Sequence, residues 1–162
     1  MLTKPQTKQE AINRINAIEK ELPQLRAFIE STEPKDIMEC VKSFDDALKI
    51  YINKFGALPN VKKDLLEYSG HDKDMIAAQG FLQMSIVRAV LNEGWSADWT
   101  DSNQVKYYPW FDMSSGSGLS YYVYGDGCSS SFVGSRLCFK SRDLAKYAGT
   151  QFKSIYEKFY II

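Results

Sequence analysis

The sequence predicts an α+β fold: an N-terminal helical half packed on a three-stranded antiparallel meander that a C-terminal helix covers. Three observations predict it. Apolar residues recur at helical spacing through the first 91 residues. From Trp95 that spacing stops, and aromatic runs alternate with Gly/Ser turns. After Ser141 helical spacing returns.

Residues 7–31 read as the first helix. Ile15, Ile18, Leu22, Leu25 and Ile29 step by 3, 4, 3 and 4, a heptad seam. Pro23 lies within it and removes a donor, so the helix kinks there or a second helix starts. An amphipathic helix packed on its own domain is the preferred reading. The alternative is a zipper between copies, for which two heptads are short. The Pro34 region breaks the chain, so residues 1–34 are expected to form an N-terminal helical segment that could serve oligomerisation. Residues 35–162 are expected to form a single α+β domain.

Ser43 followed by Asp46 has the spacing of a capping box, and Gly56 stops the helix that follows. Asn60 is the expected cap of a short helix bearing Val61, Leu65 and Tyr68. Asp72 is the expected cap of the next helix. That helix carries two apolar stripes: Ile76, Met84, Val87 and Leu91, and beside them Met75, Leu82, Ile86 and Ala89. A width of that kind marks the central core helix. Gly80 inside it would permit close approach of another element.

Val105–Phe111 reads as a strand, with Pro109 demoting it to an edge or marking a bulge. Leu119–Tyr124 reads as a second strand, with Ser120, Tyr122 and Tyr124 on one face. Phe132–Lys140 reads as a third. Ser141 caps the last helix, whose Leu144, Ala148, Phe152, Ile155 and Phe159 would lie on the sheet.

Composition excludes little but directs attention. Hydrophobic content of 44% and charged content of 25% are ordinary for a globular chain. Twenty basic and twenty acidic residues cancel, so net charge does not favour nucleic acid or an anionic membrane. The first ten residues hold no apolar run, and no signal peptide is expected. No stretch is apolar enough to span a membrane. Three widely spaced cysteines, Cys40, Cys128 and Cys138, read as reduced thiols in a cytoplasm. Cys128 and Cys138 could also meet across a hairpin.

Catalytic signatures are absent. The single histidine, His71, sits in a polar turn and has no partners in sequence. The cysteine spacing fits no zinc pattern. Gly116/Gly118 and Gly125/Gly127 lie between strands, where they make turns rather than a phosphate loop. Asp98, Asp101 and Asn103 suit an Asx-type turn. No catalytic residue, cofactor or metal is expected. What remains is the aromatic meander flanked by Lys106, Arg136 and Lys140. By alternation its outward subset is Tyr108, Trp110, Tyr122, Tyr124, Arg136 and Lys140. These residues are the candidate binding surface.

Several segments resemble a known family. They are Gly94-Trp95-Ser96-Ala97-Asp98-Trp99, Lys106-Tyr107-Tyr108-Pro109-Trp110-Phe111 and Val133-Gly134-Ser135-Arg136-Leu137-Cys138-Phe139-Lys140-Ser141, followed by Leu144-Ala145-Lys146-Tyr147-Ala148. Over roughly residues 75–160 the chain is similar to small uncharacterised proteins associated with phages and prophages of gut Bacteroidales. The resemblance implies a bacterial or phage cytoplasmic origin and a mobile-element context. It carries no activity. The expected function is therefore a non-enzymatic accessory protein acting through protein–protein contact, with a homo-oligomer through residues 7–31 as one form of it. The alternatives are single-stranded nucleic-acid or glycan binding on the aromatic sheet, and an enzyme with no recognisable motif.

Overall fold

The computed structural model describes residues 7–32, 36–114, 120–129 and 133–160; the side chains of 27–32 and 120 are outside that description. The Ile29 side chain, the break at 33–35, the turn at 115–118, Leu119, Ser131 and Phe132 lie outside the described residues. The chain divides into two compact units, Met1–Lys35 and Asp36–Ile162.

The first unit contains α1 (Lys8–Thr32). It runs as one helix with Pro23 inside. Its start is fixed by a reciprocal pair: Glu10 N–H donates to Thr7 Oγ1 and Thr7 N–H to Glu10 Oε2, each at 3.2 Å.

The second unit contains α2 (Ile37–Cys40), α3 (Phe44–Phe55), α4 (Asn60–Leu66), α5 (Lys73–Leu91), β1 (Lys106–Asp112), β2 (Ser120–Gly127), α6 (Arg142–Gln151) and α7 (Lys153–Tyr160). The capping box of α3 forms as the spacing predicts. Asp46 N–H donates to Ser43 Oγ, and Asp46 Oδ2 accepts from the Ser43 hydroxyl and backbone N–H. The Ser43 hydroxyl leads the contacts that hold the Asp46 carboxyl below its ordinary range. Gly56 ends α3 at φ +86°, where a side chain would be strained. Asp72 Oδ1 accepts from Met75 N–H to cap α5, and Ser141 Oγ from Leu144 N–H to cap α6. Asn60 does not cap α4. Pro59 occupies the cap position with no side-chain bond, because its fixed φ already suits a helix entry.

Helix α5 is the centre of the second unit. Met84, Val87, Val90 and Leu91 are buried, and α3, α4, α6 and α7 all pack on it. At Gly80 a Cβ would stand 2.6 Å from Lys158 Cβ and 3.1 Å from Ile155 O, so α7 crosses there in direct backbone contact. The Gln79 amide donates to the carbonyls of Leu65, Leu66 and Tyr68, closing the end of α4. Lys158 Nζ donates to Gln79 Oε1 and Gln83 Oε1, both at 3.0 Å.

Two larger features also differ from the sequence expectation. The first concerns the sheet, which among the described residues has two strands rather than three. Residues 134–137 form a turn, with Gly134 at φ +67°. The Gly-Ser pair that opens the turn is a breaker inside what reads as a strand. Among the described residues of that segment only Phe139 pairs, and it pairs with Tyr107 of β1 rather than with β2. Tyr107 N–H donates to Phe139 O at 3.0 Å and Phe139 N–H to Tyr107 O at 2.7 Å. The order is therefore β2, β1, Phe139, which is not a meander.

That pairing also places Pro109. Tyr107 turns its backbone groups toward Phe139, so Pro109, two residues on, turns the same way. Its missing N–H faces the side away from β2 and costs no ladder bond. Its ring packs on α6 at Gly149, where a Cβ would lie 2.7 Å from Pro109 Cβ.

The second correction concerns the C-terminal helix, which is two helices. Phe152, at φ −110° and ψ 25°, separates α6 from α7. Its buried ring faces Tyr147 edge-on, and Ile155 and Tyr156 bury beyond it. The change of direction lets Leu144 and Ala148 and then Ile155 and Tyr156 reach one core.

Candidate functional site

The six residues assigned to one binding surface do not share one surface. Strand register explains the split. Trp110 pairs with Val123 but Phe111 pairs with Tyr121, so Tyr122 is an extra residue in β2. This bulge reverses the alternation beyond it. Tyr121 and Tyr124 both pack against the core, while Tyr122 is 74% exposed. Tyr124 lies edge-on to Tyr107 and is covered by the Arg142 guanidinium, 4.7 Å from its ring centroid.

Tyr108 is the clearest miss. It is only 5% exposed. Its ring lies over Gly125, directly opposite in the register, and stacks on Trp110 with centroids 6.3 Å apart. A Cβ at position 125 would stand 2.5 Å from that ring. A glycine opposite an aromatic lets the ring fold flat onto the sheet. Trp110 itself stays 48% exposed. With Pro109, Met113, Val133 and Tyr160 it lines a shallow aromatic cleft of about 330 Å³.

The cations also disperse. Lys106 is 1% exposed. Its ammonium donates to the carbonyls of Asp101 and Cys128 and lies 5.3 Å from the Trp99 ring centroid. Trp99 in turn donates its indole N–H to Ser135 Oγ. These contacts tie the loop before β1 to the segments after β2. Lys140 is paired with Glu93 at 2.6 Å. Arg136 lies on the helical side of the unit, in a groove described below. None of the assigned cations is among the described residues that line the Trp110 cleft.

The polar turns behave as read. Asp98 Oδ1 accepts from the N–H and hydroxyl of Thr100, and Asp101 Oδ1 accepts from Asn103 N–H. The Thr100 hydroxyl heads the contacts that hold the Asp98 carboxyl below its ordinary range. His71 is exposed in the turn before α5. Among the described residues, no group of three His, Cys, Asp or Glu side chains is arranged to hold a metal ion. Also among them, no helix is long and apolar enough to cross a membrane.

Two surfaces stand out instead. On α1, Ile15, Ile18, Leu22 and Leu25 are 54%, 56%, 40% and 49% exposed. They form a continuous apolar seam that stays exposed among the described residues. In the second unit, α3, α4, α5 and α7 enclose a groove of about 710 Å³. Its floor is Ala77, Ala78, Phe81, Leu82, Ser85 and Ile86 of α5, with Tyr51, Val61, Leu65 and Phe159 as walls. Lys62 and Arg136 are its charged lining residues. Sequence reasoning missed this groove because Phe81 falls between the two apolar stripes of α5. The available signal was the width of those stripes: Leu82 and Ile86 belong to the second one, and it borders the groove rather than a packed neighbour.

Comparison with protein-family models, with curated proteins and with solved structures found no match.

Proposed function

We propose that this chain is a non-enzymatic interaction protein that associates with itself through α1. The observation that carries the reading is the exposed seam of Ile15, Ile18, Leu22 and Leu25. Four large apolar side chains on one helical stripe are costly to leave in water. Burial of each is worth about 1.5–3 kcal/mol when complete. The flanking charges support a second copy as the partner. With Ile15 and Leu22 at a, and Ile18 and Leu25 at d, the g positions are Arg14 and Glu21 and the e positions Glu19 and Arg26. In a parallel pair Arg14 faces Glu19 of the other copy, and Glu21 faces Arg26. Every such contact joins opposite charges. Pro23 falls at b, on the solvent side, and leaves the seam uninterrupted.

The charge pattern supplies the test. In Glu19→Arg/Glu21→Arg all four flanking positions become basic, and association is lost by light scattering. Mixing that variant with Arg14→Glu/Arg26→Glu restores a mixed pair. Undiminished association of the all-basic variant alone would rule out the α1 seam.

The proposed setting is a cytoplasmic accessory protein of phage or mobile-element type, in line with the aromatic and Gly-Ser-Arg motifs of residues 94–148. Base or sugar stacking on the strands has less support. Only Trp110 and Tyr122 of the assigned aromatics expose much of their rings, and their assigned cations are buried, paired or elsewhere.

A further inference from the structure

The groove of the second unit is apolar along its length and positive at its charged lining residues. Along α5, Ala77, Phe81 and Ser85 form one row, and Ala78, Leu82 and Ile86 a second. These rows span about two and a half turns, about 13 Å. Phe81 is 39% exposed and Val61, on the wall, 75%. Apolar exposure of that kind on a groove, rather than as scattered residues, marks an interaction site.

The electrostatics are one-sided. Among the described residues no carboxylate lines the groove. Among the described residues, neither Lys62 nor Arg136 has an ion-pair partner. Arg88 adds a third cation at the Arg136 end, because its Nε–H donates to the Arg136 carbonyl at 3.2 Å. Burial, with the Arg136 charge as a lesser cause, pulls the Arg88 guanidinium below its ordinary value. A negative group arriving there would relieve the repulsion between the two guanidinium ions.

We infer that this groove receives an amphipathic, acidic helix from a partner protein. The floor is built from helical rows, and its small members Ala77 and Ala78 let a second helix approach to the 8–10 Å axial spacing typical of packed helices. The occupant presents apolar side chains at i, i+4 and i+7 to Phe81, Leu82 and Val61. Its flanking carboxylates meet Lys62 and Arg136. This is helix-in-groove recognition with a charged rim that selects the sign of the partner.

The inference is independent of α1 self-association, and its test keeps the two apart. The full chain, isotope-labelled and carrying Leu22→Glu to remove the α1 seam, is titrated with two helical peptides of about 14 residues. Both carry leucines at i, i+4, i+7 and i+11. One has glutamates beside them and the other lysines. The acidic peptide shifts the amide resonances of Ala78, Phe81 and Leu82, and the basic peptide binds about tenfold more weakly. Lys62→Glu/Arg136→Glu, both at exposed or rim positions, inverts that preference without unfolding the chain. Equal binding of the two peptides, shifts confined to β1 and β2, or no shifts with either peptide would each overturn the inference.

Discussion

Tyr107 and Phe139 exchange both backbone hydrogen bonds, and these are the only strand-type bonds that the segment after β2 makes among the described residues. A single pair is held in place because Asn92 grips the same segment from the other side. Asn92 Nδ2 donates to Cys138 O at 2.9 Å, and Asn92 Oδ1 accepts from Lys140 N–H at 3.0 Å. A side-chain amide thus satisfies the backbone groups on either side of Phe139. It couples the end of α5 to β1 through one buried residue.

Asn92→Ala removes both bonds and leaves a carbonyl and an N–H unsatisfied at a site only 1% exposed. The expected loss is about 2–4 kcal/mol, from two buried groups at about 1–3 kcal/mol each with partial relaxation. Urea unfolding measures it. A loss near the surface average of about 0.5 kcal/mol would mean that the segment is held by packing alone.

Tyr156 is wholly buried among Phe111, Phe159 and Tyr160, and its hydroxyl has no hydrogen-bond partner among the described residues. Tyr156→Phe is therefore expected to be neutral or to stabilise by about 1 kcal/mol at neutral pH. Alkaline pH separates the two proteins further. Burial raises the phenol of Tyr156 well above 10. The unfolded phenol loses its proton near 10 while the folded one keeps it, so folded-state stability falls as pH rises from about 10 through the folded value. The phenylalanine variant lacks that loss and should show a smaller drop in Tm above pH 10. Parallel curves for the two proteins would contradict the burial of the phenol.

The three thiols should differ in reactivity. Cys40 is exposed and Cys138 buried. Desolvation pushes the Cys138 thiol up despite the nearby Arg88. Alkylation at pH 8 should label Cys40 quickly and Cys138 only on unfolding. Mass mapping of the labelled sites checks this. Rapid labelling of Cys138 in the folded chain would contradict its position beside Leu137 and Phe139 in the core.

The helical half was legible in the sequence because its signals are local. The Ser43 and Asp72 caps, the Gly56 stop and the close approach at Gly80 each rest on a few neighbouring residues. The sheet was less legible because its alternation depends on register. One extra residue at Tyr122 turned Tyr124 inward, and Gly125 let Tyr108 lie flat and buried. Neither effect has a signature in a single strand. Arg136 was drawn off the sheet by the turn at Gly134, a breaker visible in the sequence but outweighed there by the apolar residues around it. Lys106 shows the same limit from the other side. A buried lysine bonded to two carbonyls cannot be told from a surface lysine by its neighbours in sequence. The Val105–Phe111 strand, the Asx turns and the α6 cap required no such long-range information.

Sedimentation equilibrium of the full chain from about 1 to 100 µM, beside Leu22→Glu, tests the central proposal most directly. A reversible dimer is expected for the unmodified chain and a monomer for Leu22→Glu, with α-helical content otherwise retained. A monomer for both proteins across that range, or a dimer that survives Leu22→Glu, would contradict it.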